Sequence, residues 1–359
     1  MQDQIYMQLV LEMAKNTMLQ TLPNPHVAAV IVKDGAILGV GCHLRPGDHH
    51  AEIYAIQQAG DAAKGATLYV NLEPCSHYGK TPPCVNAIIT AGITRVVIAN
   101  LDENPLVAGN GVAKLKEAGI QVDIGVLADA AYRLNQVFFH NIKSAQPFVT
   151  LKVGMSLDGK IASYKNLSQW ITSKSSRKDA HQYRVNHTGI LVGVGTILSD
   201  DPSLTPHLIE NAPRNPVRII LDTKLRTPIS ARVITDKLAQ TIICTTVSDE
   251  VKLQLYQDVG VDVIVLENLA INTVLNELYK RGIYSILVEG GEKIYSSFIE
   301  AGTVNQIVSY ISPQLIGSRD AKHFFAGNGF ADLNTNMKLK LEEISKLEND
   351  VKLIYTKAP

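Results

Sequence analysis

His50-Ala51-Glu52, followed by Pro74-Cys75 and then by Pro83-Cys84, is the stretch on which the reading of this chain turns. One imidazole and two thiolates make a three-ligand set for zinc and leave a fourth coordination position for water, as catalytic zinc sites do. Glu52 stands two residues beyond the imidazole, close enough to reach such a water without being a ligand. A carboxylate there can pass a proton from water to a leaving group. Two structural cysteines and a surface histidine would account for each residue singly; the joint spacing favours a metal held by His50, Cys75 and Cys84, one ion per chain.

The surroundings place these residues on elements. Met1 to Gln20 reads as an amphipathic helix, with Ile5, Leu9 and Met13 on one stripe, and a two-proline loop containing Asn24 follows. Val27 to Val32 and Ile37 to Gly41 read as two strands joined by the Lys33-Asp34-Gly35 turn. The apolar positions Ile53, Ile56 and Ala59 predict a helix that opens at His50 and stops at Gly60, putting His50 and Glu52 in its first turn. Strands at Thr67–Asn71, Arg95–Ala99 and Gln121–Gly125 alternate with helices at Cys84–Ala91 and Asn110–Ala118. Leu127 to Lys143 reads as one linking helix, and Gln146-Pro147 begins something new.

His-x-Glu with a later Pro-Cys-x-x-Cys is the signature of zinc-dependent nucleobase deaminases, and here Ser76 to Pro83 separate the two cysteines. An insertion there leaves the ligands usable and builds a wall beside the metal. Pro74-Cys75-Ser76-His77-Tyr78-Gly79-Lys80-Thr81-Pro82-Pro83-Cys84 is similar to the PCxHxGxTPPC pattern of the bifunctional deaminase/reductase family of riboflavin biosynthesis. The resemblance implies a cytidine-deaminase-like, three-layer α/β domain over residues 1–145, with Glu52 as proton shuttle. It also implies pyrimidine contact by Asn24, a position that Asx-turn chemistry would equally explain. His43, His77, Asp102 and Asn104 are further candidate substrate contacts, as is Lys80 for a ribose phosphate.

The second half, residues 146–359, carries the resemblance further. Phe148 to Val153 reads as a strand leading into Ser156-Leu157-Asp158-Gly159-Lys160-Ile161-Ala162, which resembles the family's reductase half, a dihydrofolate-reductase-like fold. Two strands run into glycine junctions, Gly193-Val194-Gly195-Thr196 and Glu289-Gly290-Gly291-Glu292-Lys293, the second with a helix expected from Ile294. Exposed N–H groups at such helix starts suit the phosphates of a nicotinamide dinucleotide held outside a strict G-x-G-x-x-G fingerprint. Thr223, Lys224 and Arg226 follow the strand Val217–Leu221, where they either hold an adenosine 2′-phosphate, which favours NADPH, or are merely solvated. The resemblance implies cofactor contacts at Gly154, Trp170, Thr196, Asp200, Thr223, Gly291, Glu292, Lys293, Ile294, Tyr295, Ser296 and Ser297. For the reductase substrate it implies Lys152, Ser168, Arg184, Leu204, His207 and Glu289. Family members often carry arginine at the position of His207, so the substrate phosphate falls to Arg184, to Arg214, or to a pH-sensitive imidazole. Glu289 and Asp200 are the candidate acids of this half. Ile307–Ile311, Leu339–Ile344 and Val351–Tyr355 read as antiparallel strands.

Composition bounds the alternatives. In 359 residues, 34 Lys and Arg balance 34 Asp and Glu, so no basic field draws in a nucleic acid, which opposes an RNA- or DNA-editing deaminase. A closed four-ligand structural zinc site, the other alternative, finds only three ligands. The length suggests two domains, and no apolar run reaches a membrane-spanning length. The N-terminus lacks a basic start ahead of an apolar block, so a cytoplasmic protein is expected. The other two of the four cysteines, Cys42 and Cys244, are expected to be buried thiols, not a disulfide framework. The expected partners are a small ribosylaminopyrimidine phosphate and a second copy of the chain, a homodimer in particular.

Overall fold

The computed structural model describes residues 2–18, 20–78, 82–104, 108–332 and 336–358. The chain divides into two compact units, Met1–Ala145 and Gln146–Pro359. The first contains α1 (Gln2–Lys15), β1 (Ala28–Lys33), β2 (Ala36–Cys42), α2 (Ala51–Ala59), β3 (Thr67–Leu72), α3 (Cys84–Thr90), β4 (Arg95–Asn100), α4 (Asn110–Glu117), β5 (Gln121–Ile124), α5 (Ala128–Leu134) and α6 (Gln136–Ser144). Its sheet has the order β2-β1-β3-β4-β5. β1 pairs antiparallel with β2 and β3, and β3, β4 and β5 run parallel.

Alternation along β1 makes the three layers. Ala29 and Ile31 face Ala51 and Ala55 of α2, Val85 and Ile88 of α3 and Leu115 of α4. Ala28, Val30 and Val32 face Met7, Val10 and Ala14 of α1 and Ala131 of α5. α2 lies very close to β2 because Gly39 and Gly41 have no Cβ; one added there would come within 2.2 Å of the Ala55 carbonyl oxygen and 2.1 Å of that of Ala51. Two sequence expectations need correction. The opening helix stops at Lys15, and the single linking helix over Leu127 to Lys143 is two helices broken at Asn135. The Asn135 carboxamide accepts from the His26 N–H at 2.8 Å and donates to its carbonyl at 3.1 Å, fixing the loop ahead of β1.

The second unit contains β6 (Phe148–Ser156), α7 (Lys174–Asn186), β7 (Gly189–Gly193), α8 (Val194–Asp200), β8 (Val217–Leu221), α9 (Arg232–Thr235), β9 (Thr241–Thr245), α10 (Glu250–Asp258), β10 (Asp262–Val265), α11 (Ile271–Lys280), β11 (Ser285–Val288), α12 (Glu292–Glu300), β12 (Gln306–Ser312), β13 (Leu339–Leu347) and β14 (Asp350–Lys357). One nine-stranded sheet has the order β10-β9-β8-β7-β11-β6-β12-β14-β13. It is parallel from β10 to β12; β14 then pairs antiparallel with β12, and β13 antiparallel with β14. The three C-terminal strands thus pair antiparallel as expected, and on its other side β12 joins the sheet by pairing parallel with β6. Buried Val and Ile alternate to both faces, as in a sheet covered by helices on each side. α12 begins at Glu292, a turn's half earlier than expected. Cys244 is buried in this core and Cys42 is half-buried, and all four cysteines are free thiols.

His187 closes α7 inside this unit. Its Nδ1 bonds the Tyr183 carbonyl at 2.7 Å and its Nε2 bonds the Thr150 hydroxyl at 2.9 Å. Burial drives its pKa down from 6.5 to about 4. The folded state therefore refuses a proton that the unfolded chain accepts, so stability is full above the unfolded pKa and is lost as pH falls toward the folded one. We expect urea midpoints for the second unit to fall between pH 7 and pH 5 by an amount worth on the order of 1–3 kcal/mol. His187→Gln should flatten this dependence, and an equally steep loss in that variant would assign it to other groups.

Candidate active sites

In the first unit, β2 and α2 together deliver the metal-binding imidazole. His50 is the N-cap of α2 with extended backbone, and Glu52 lies in the first turn. Cys84 opens α3, and its N–H reaches the Cys75 sulfur at 3.3 Å across the loop between them. His50 Nδ1 lies 3.5 Å from Cys75 Sγ and 3.2 Å from Cys84 Sγ, and all three ligand atoms fall within 4.8 Å of one another. Zinc bonds of about 2.0–2.3 Å in a tetrahedron require ligand atoms about 3.5 Å apart, so the set fits zinc as it stands.

Glu52 is buried, and its Oε2 has no hydrogen-bond partner among the described residues. Burial pushes its carboxyl up, against the opposing effect of His50. A buried carboxylate oxygen without a donor costs several kcal/mol unless a ligand supplies one, and a water on the metal would do so. Hydrogen bonds from Cys84 favour the Cys75 thiolate, whose pKa drops to about 4.

His43 packs edge-on against the His50 ring, with centroids 5.5 Å apart. Its Nδ1 meets the His49 carbonyl at 3.1 Å, so Nε2 is left as acceptor for the Asn24 amide at 2.9 Å. Burial lowers the His43 pKa, in keeping with this neutral ring. Asp102 accepts from the Asn104 N–H at 2.9 Å, and burial raises its carboxyl while the charge of nearby His77 opposes. Asn24, His43, His77, Asp102 and Asn104 thus occur at strand ends of the unit that holds the metal ligands; Lys80 lies outside the described residues. Sequence reasoning passed over one buried acid here, Glu73, whose signal is a lone carboxylate closing the apolar strand β3 directly ahead of Pro74-Cys75.

In the second unit, β7 and β11 are parallel neighbours, so the two glycine junctions emerge side by side at the same end of the sheet. Thr223 follows β8, the other neighbour of β7, and Gly154 lies on β6, next to β11. The four glycines divide by role. A Cβ on Gly193 or Gly290 would come within 2.9 or 2.6 Å of the Ile294 side chain, whereas Gly195 and Gly291 face open space. Of the expected cofactor contacts, Ile294 packs against Gly193 and Gly290, and the Tyr295 hydroxyl donates to the Lys152 carbonyl at 2.6 Å. Glu292 and Ser296 accept the N–H groups of His323 and Ala326, which commits both side chains to the loop that follows β12. Lys293, Ser297 and Asp200 are exposed, and Thr196 and Ser168 are half-buried. Trp170 is exposed, with the Arg177 guanidinium 4.2 Å from its ring. The Thr223 carbonyl accepts from the Thr246 hydroxyl at 3.0 Å.

Lys152, Arg184 and Glu289 converge. Arg184 makes a two-pronged contact with Glu289, at 2.7 and 3.0 Å, and Lys152 Nζ lies 2.7 Å from the same carboxylate. Burial alone would raise the Glu289 carboxyl, but Arg184 and Lys152 outweigh it and hold it well below the carboxylate range. Glu289 is thus held as a carboxylate that accepts from both cations, an arrangement that disfavours the proton-donor role expected for it. The alternative that Arg214 binds the substrate phosphate is also corrected. Arg214 precedes the start of β8, at the end of the sheet opposite the glycine junctions, and its Nε is given to the Val185 carbonyl. His207 is exposed and edge-on to His181 at 4.5 Å, and burial and Arg184 lower its pKa. Leu204 sits in the core, 2 % exposed. His181, which backs His207 and accepts the Leu208 N–H, carried no signal beyond helical spacing.

Three residues that fit zinc beside a buried glutamate with one unpaired oxygen, on a cytidine-deaminase-like sheet, are the arrangement of a nucleobase-type deaminase; the largely parallel second sheet with two adjacent glycine junctions is one that suits a dinucleotide-dependent reductase. The family models agree: a cytidine and deoxycytidylate deaminase zinc-binding region matches residues 1–100, and a RibD C-terminal domain matches 147–353. The riboflavin biosynthesis protein RibD of Bacillus amyloliquefaciens is 46% identical over 98% of this chain and 95% of its own length. That of Aquifex aeolicus is 43% identical over 98% of each. The solved structure of Acinetobacter baumannii RibD aligns with a TM-score of 0.86 at 37% identity, covering 100% of this chain and 99% of that one. The chain belongs to the RibD family of bifunctional riboflavin biosynthesis enzymes, and its cofactors are zinc and NADPH.

The division of the glycines is testable. Gly290→Ala should destabilise the protein by about 1–3 kcal/mol through overpacking against Ile294. Gly291→Ala should leave thermal stability within about 0.5 kcal/mol of wild type and weaken NADPH binding several-fold in a fluorescence titration. Unchanged NADPH affinity in Gly291→Ala would move the dinucleotide away from this junction.

Proposed function

We propose that residues 1–145 deaminate 2,5-diamino-6-ribosylamino-4(3H)-pyrimidinone 5′-phosphate and that residues 146–359 reduce the ribosyl group of the product to ribityl with NADPH. The observation that carries the first half is the unpaired Glu52 oxygen buried beside His50, Cys75 and Cys84. A related enzyme from Thermotoga maritima, 35% identical over 99% of each chain at a TM-score of 0.86, is described as a diaminohydroxyphosphoribosylaminopyrimidine deaminase and 5-amino-6-(5-phosphoribosylamino)uracil reductase.

Zinc, when bound, lowers the pKa of a water and so supplies a nucleophile at neutral pH. Glu52 accepts a proton from water and passes it to the ring nitrogen, then accepts a second from the hydroxyl newly added to the ring and passes it to the departing amine; its raised pKa suits that exchange. Asn24, held by the neutral His43, offers its carboxamide to the pyrimidine, and His77, Asp102 and Asn104 complete the substrate contacts, with Lys80 for the phosphate. In the second unit NADPH supplies the hydride. Gly195 and Gly291 give the dinucleotide backbone access, with Gly154, Trp170, Thr196, Thr223, Asp200, Lys293 and Ser297 around it. Lys152, Arg184 and Glu289 form a fixed polar floor for the sugar phosphate, with Ser168, Leu204 and His207 at its margin.

Glu52→Gln should retain about one zinc per chain by metal analysis while ammonia release falls by at least about a hundredfold. Retained turnover would place the proton shuttle elsewhere. A fragment beginning at Gln146 should fold and alter nicotinamide fluorescence on binding NADPH; a folded fragment that binds none would refute independent cofactor recognition. The reading extends to a cytoplasmic homodimer. What supports it is the likeness to the family; among the described residues no helix is long and apolar enough to cross a membrane.

A further inference from the structure

Glu73 takes no part in the chemistry described so far, yet it is only 4 % exposed and lies two residues before the metal ligand Cys75. Its carboxylate accepts four backbone N–H groups. Oε1 receives those of Gly111 at 2.9 Å and Val112 at 3.2 Å; Oε2 receives those of Gly109 at 3.0 Å and Asp102 at 3.2 Å. Its own N–H donates to the Asn100 carbonyl at 2.9 Å, anchoring it to the end of β4. Gly109, Gly111 and Val112 open α4, whose N-cap, Gly109, has no side chain to offer. A serine or aspartate at position 109 would cap the helix locally. Here the cap comes from another strand, which ties α4 and the Asp102 turn to the segment that carries Cys75.

The fit is close on both sides. A Cβ on Gly111 would come within 2.2 Å of the Pro74 carbonyl oxygen and 3.1 Å of Glu73 Oε1. A second tether runs the same way, from Lys114 Nζ on α4 to the Ser76 carbonyl at 2.7 Å. Asp102 and Asn104, the substrate-facing pair, hang from this clamp: Glu73 holds the Asp102 N–H, and the Asp102 carboxylate holds the Asn104 N–H.

We propose that Glu73 is a positioning residue of the deaminase, fixing the Asp102–Asn104 turn against the Pro74-Cys75 segment so that the pyrimidine is held in register with the metal. This rests on the reading of the first unit as the pyrimidine deaminase. An amide at position 73 would turn an NH2 group toward two N–H donors and lose half of the clamp; an aspartate would keep the charge but withdraw it by one methylene.

The test uses the full chain loaded with zinc, with ammonia release from the ribosylaminopyrimidine phosphate as readout. Glu73→Gln should keep about one zinc per chain and raise KM for that substrate about tenfold, with kcat changed by less than about threefold; Glu73→Asp should recover part of the loss. Should Glu73→Gln fail to fold, Gly111→Ala strains the same clamp from the α4 side and should raise KM in the same sense. Unchanged KM in whichever variant folds, a fall in kcat alone, or loss of zinc in proportion to activity would each overturn the positioning role. A wild-type chain that releases no ammonia from this substrate would instead sink the underlying deaminase reading.

Discussion

The first unit depends on how closely a helix can approach a strand. Gly39 and Gly41 let the carbonyls of Ala51 and Ala55 lie where side chains would otherwise stand. That contact sets the position of α2, and α2 sets His50 at its cap and Glu52 in its first turn. Cys84 reaches the same point from the start of α3, and Cys75 from the chain just beyond β3. Helix starts are apt for this task. Their unpaired N–H groups favour thiolate and carboxylate, so the cluster is electrostatically prepared for a cation before one arrives.

Two buried glutamates show how environment assigns a role to one side chain. Glu52 and Glu289 both lose their hydration, which by itself favours the neutral acid. Around Glu52 the metal ligands supply a partly compensating imidazole, and one oxygen is left unpaired, so proton uptake and release stay accessible. Around Glu289 two cations close on both oxygens and the carboxylate is locked. The first arrangement can exchange protons. The second holds charge in place, and removing Glu289 would take the shared carboxylate from both Lys152 and Arg184.

Much of this was legible in the chain, because the features that carry it are local. His-x-Glu, the Pro-Cys pairs and the strand-to-glycine junctions each sit within a few residues, and the elements that bear them fell within a turn of their expected bounds. What escaped was non-local. Asn135 breaks the linking helix to bond His26, a partner more than a hundred residues away. β12 pairs parallel with β6 because the sheet continues through it, which no hairpin pattern near residue 306 announces. Arg214 was plausible as a phosphate ligand from its charge alone, and only strand direction places it at the wrong end. Glu73 looks like an ordinary acid at a strand end until the four N–H groups that it gathers from residues 102–112 are in view.

The glycine junctions of the second unit bear on why no G-x-G-x-x-G run is needed. In a Rossmann fingerprint one loop provides the tight turn, the close approach to phosphate and the close helix packing. Here the parallel pairing of β7 with β11 sets two short loops next to each other and allows those tasks to be shared. Gly193 and Gly290 accommodate Ile294, which seats α12 between the loops; Gly195 and Gly291 keep their approach clear. The seating of α12 is reinforced along its length by Glu292, Ser296 and Glu300, which accept successive N–H groups of the loop at 323, 326 and 328. A cradle divided in this way depends on the register of two strands distant in sequence, so its geometry is a property of the whole sheet and not of either loop.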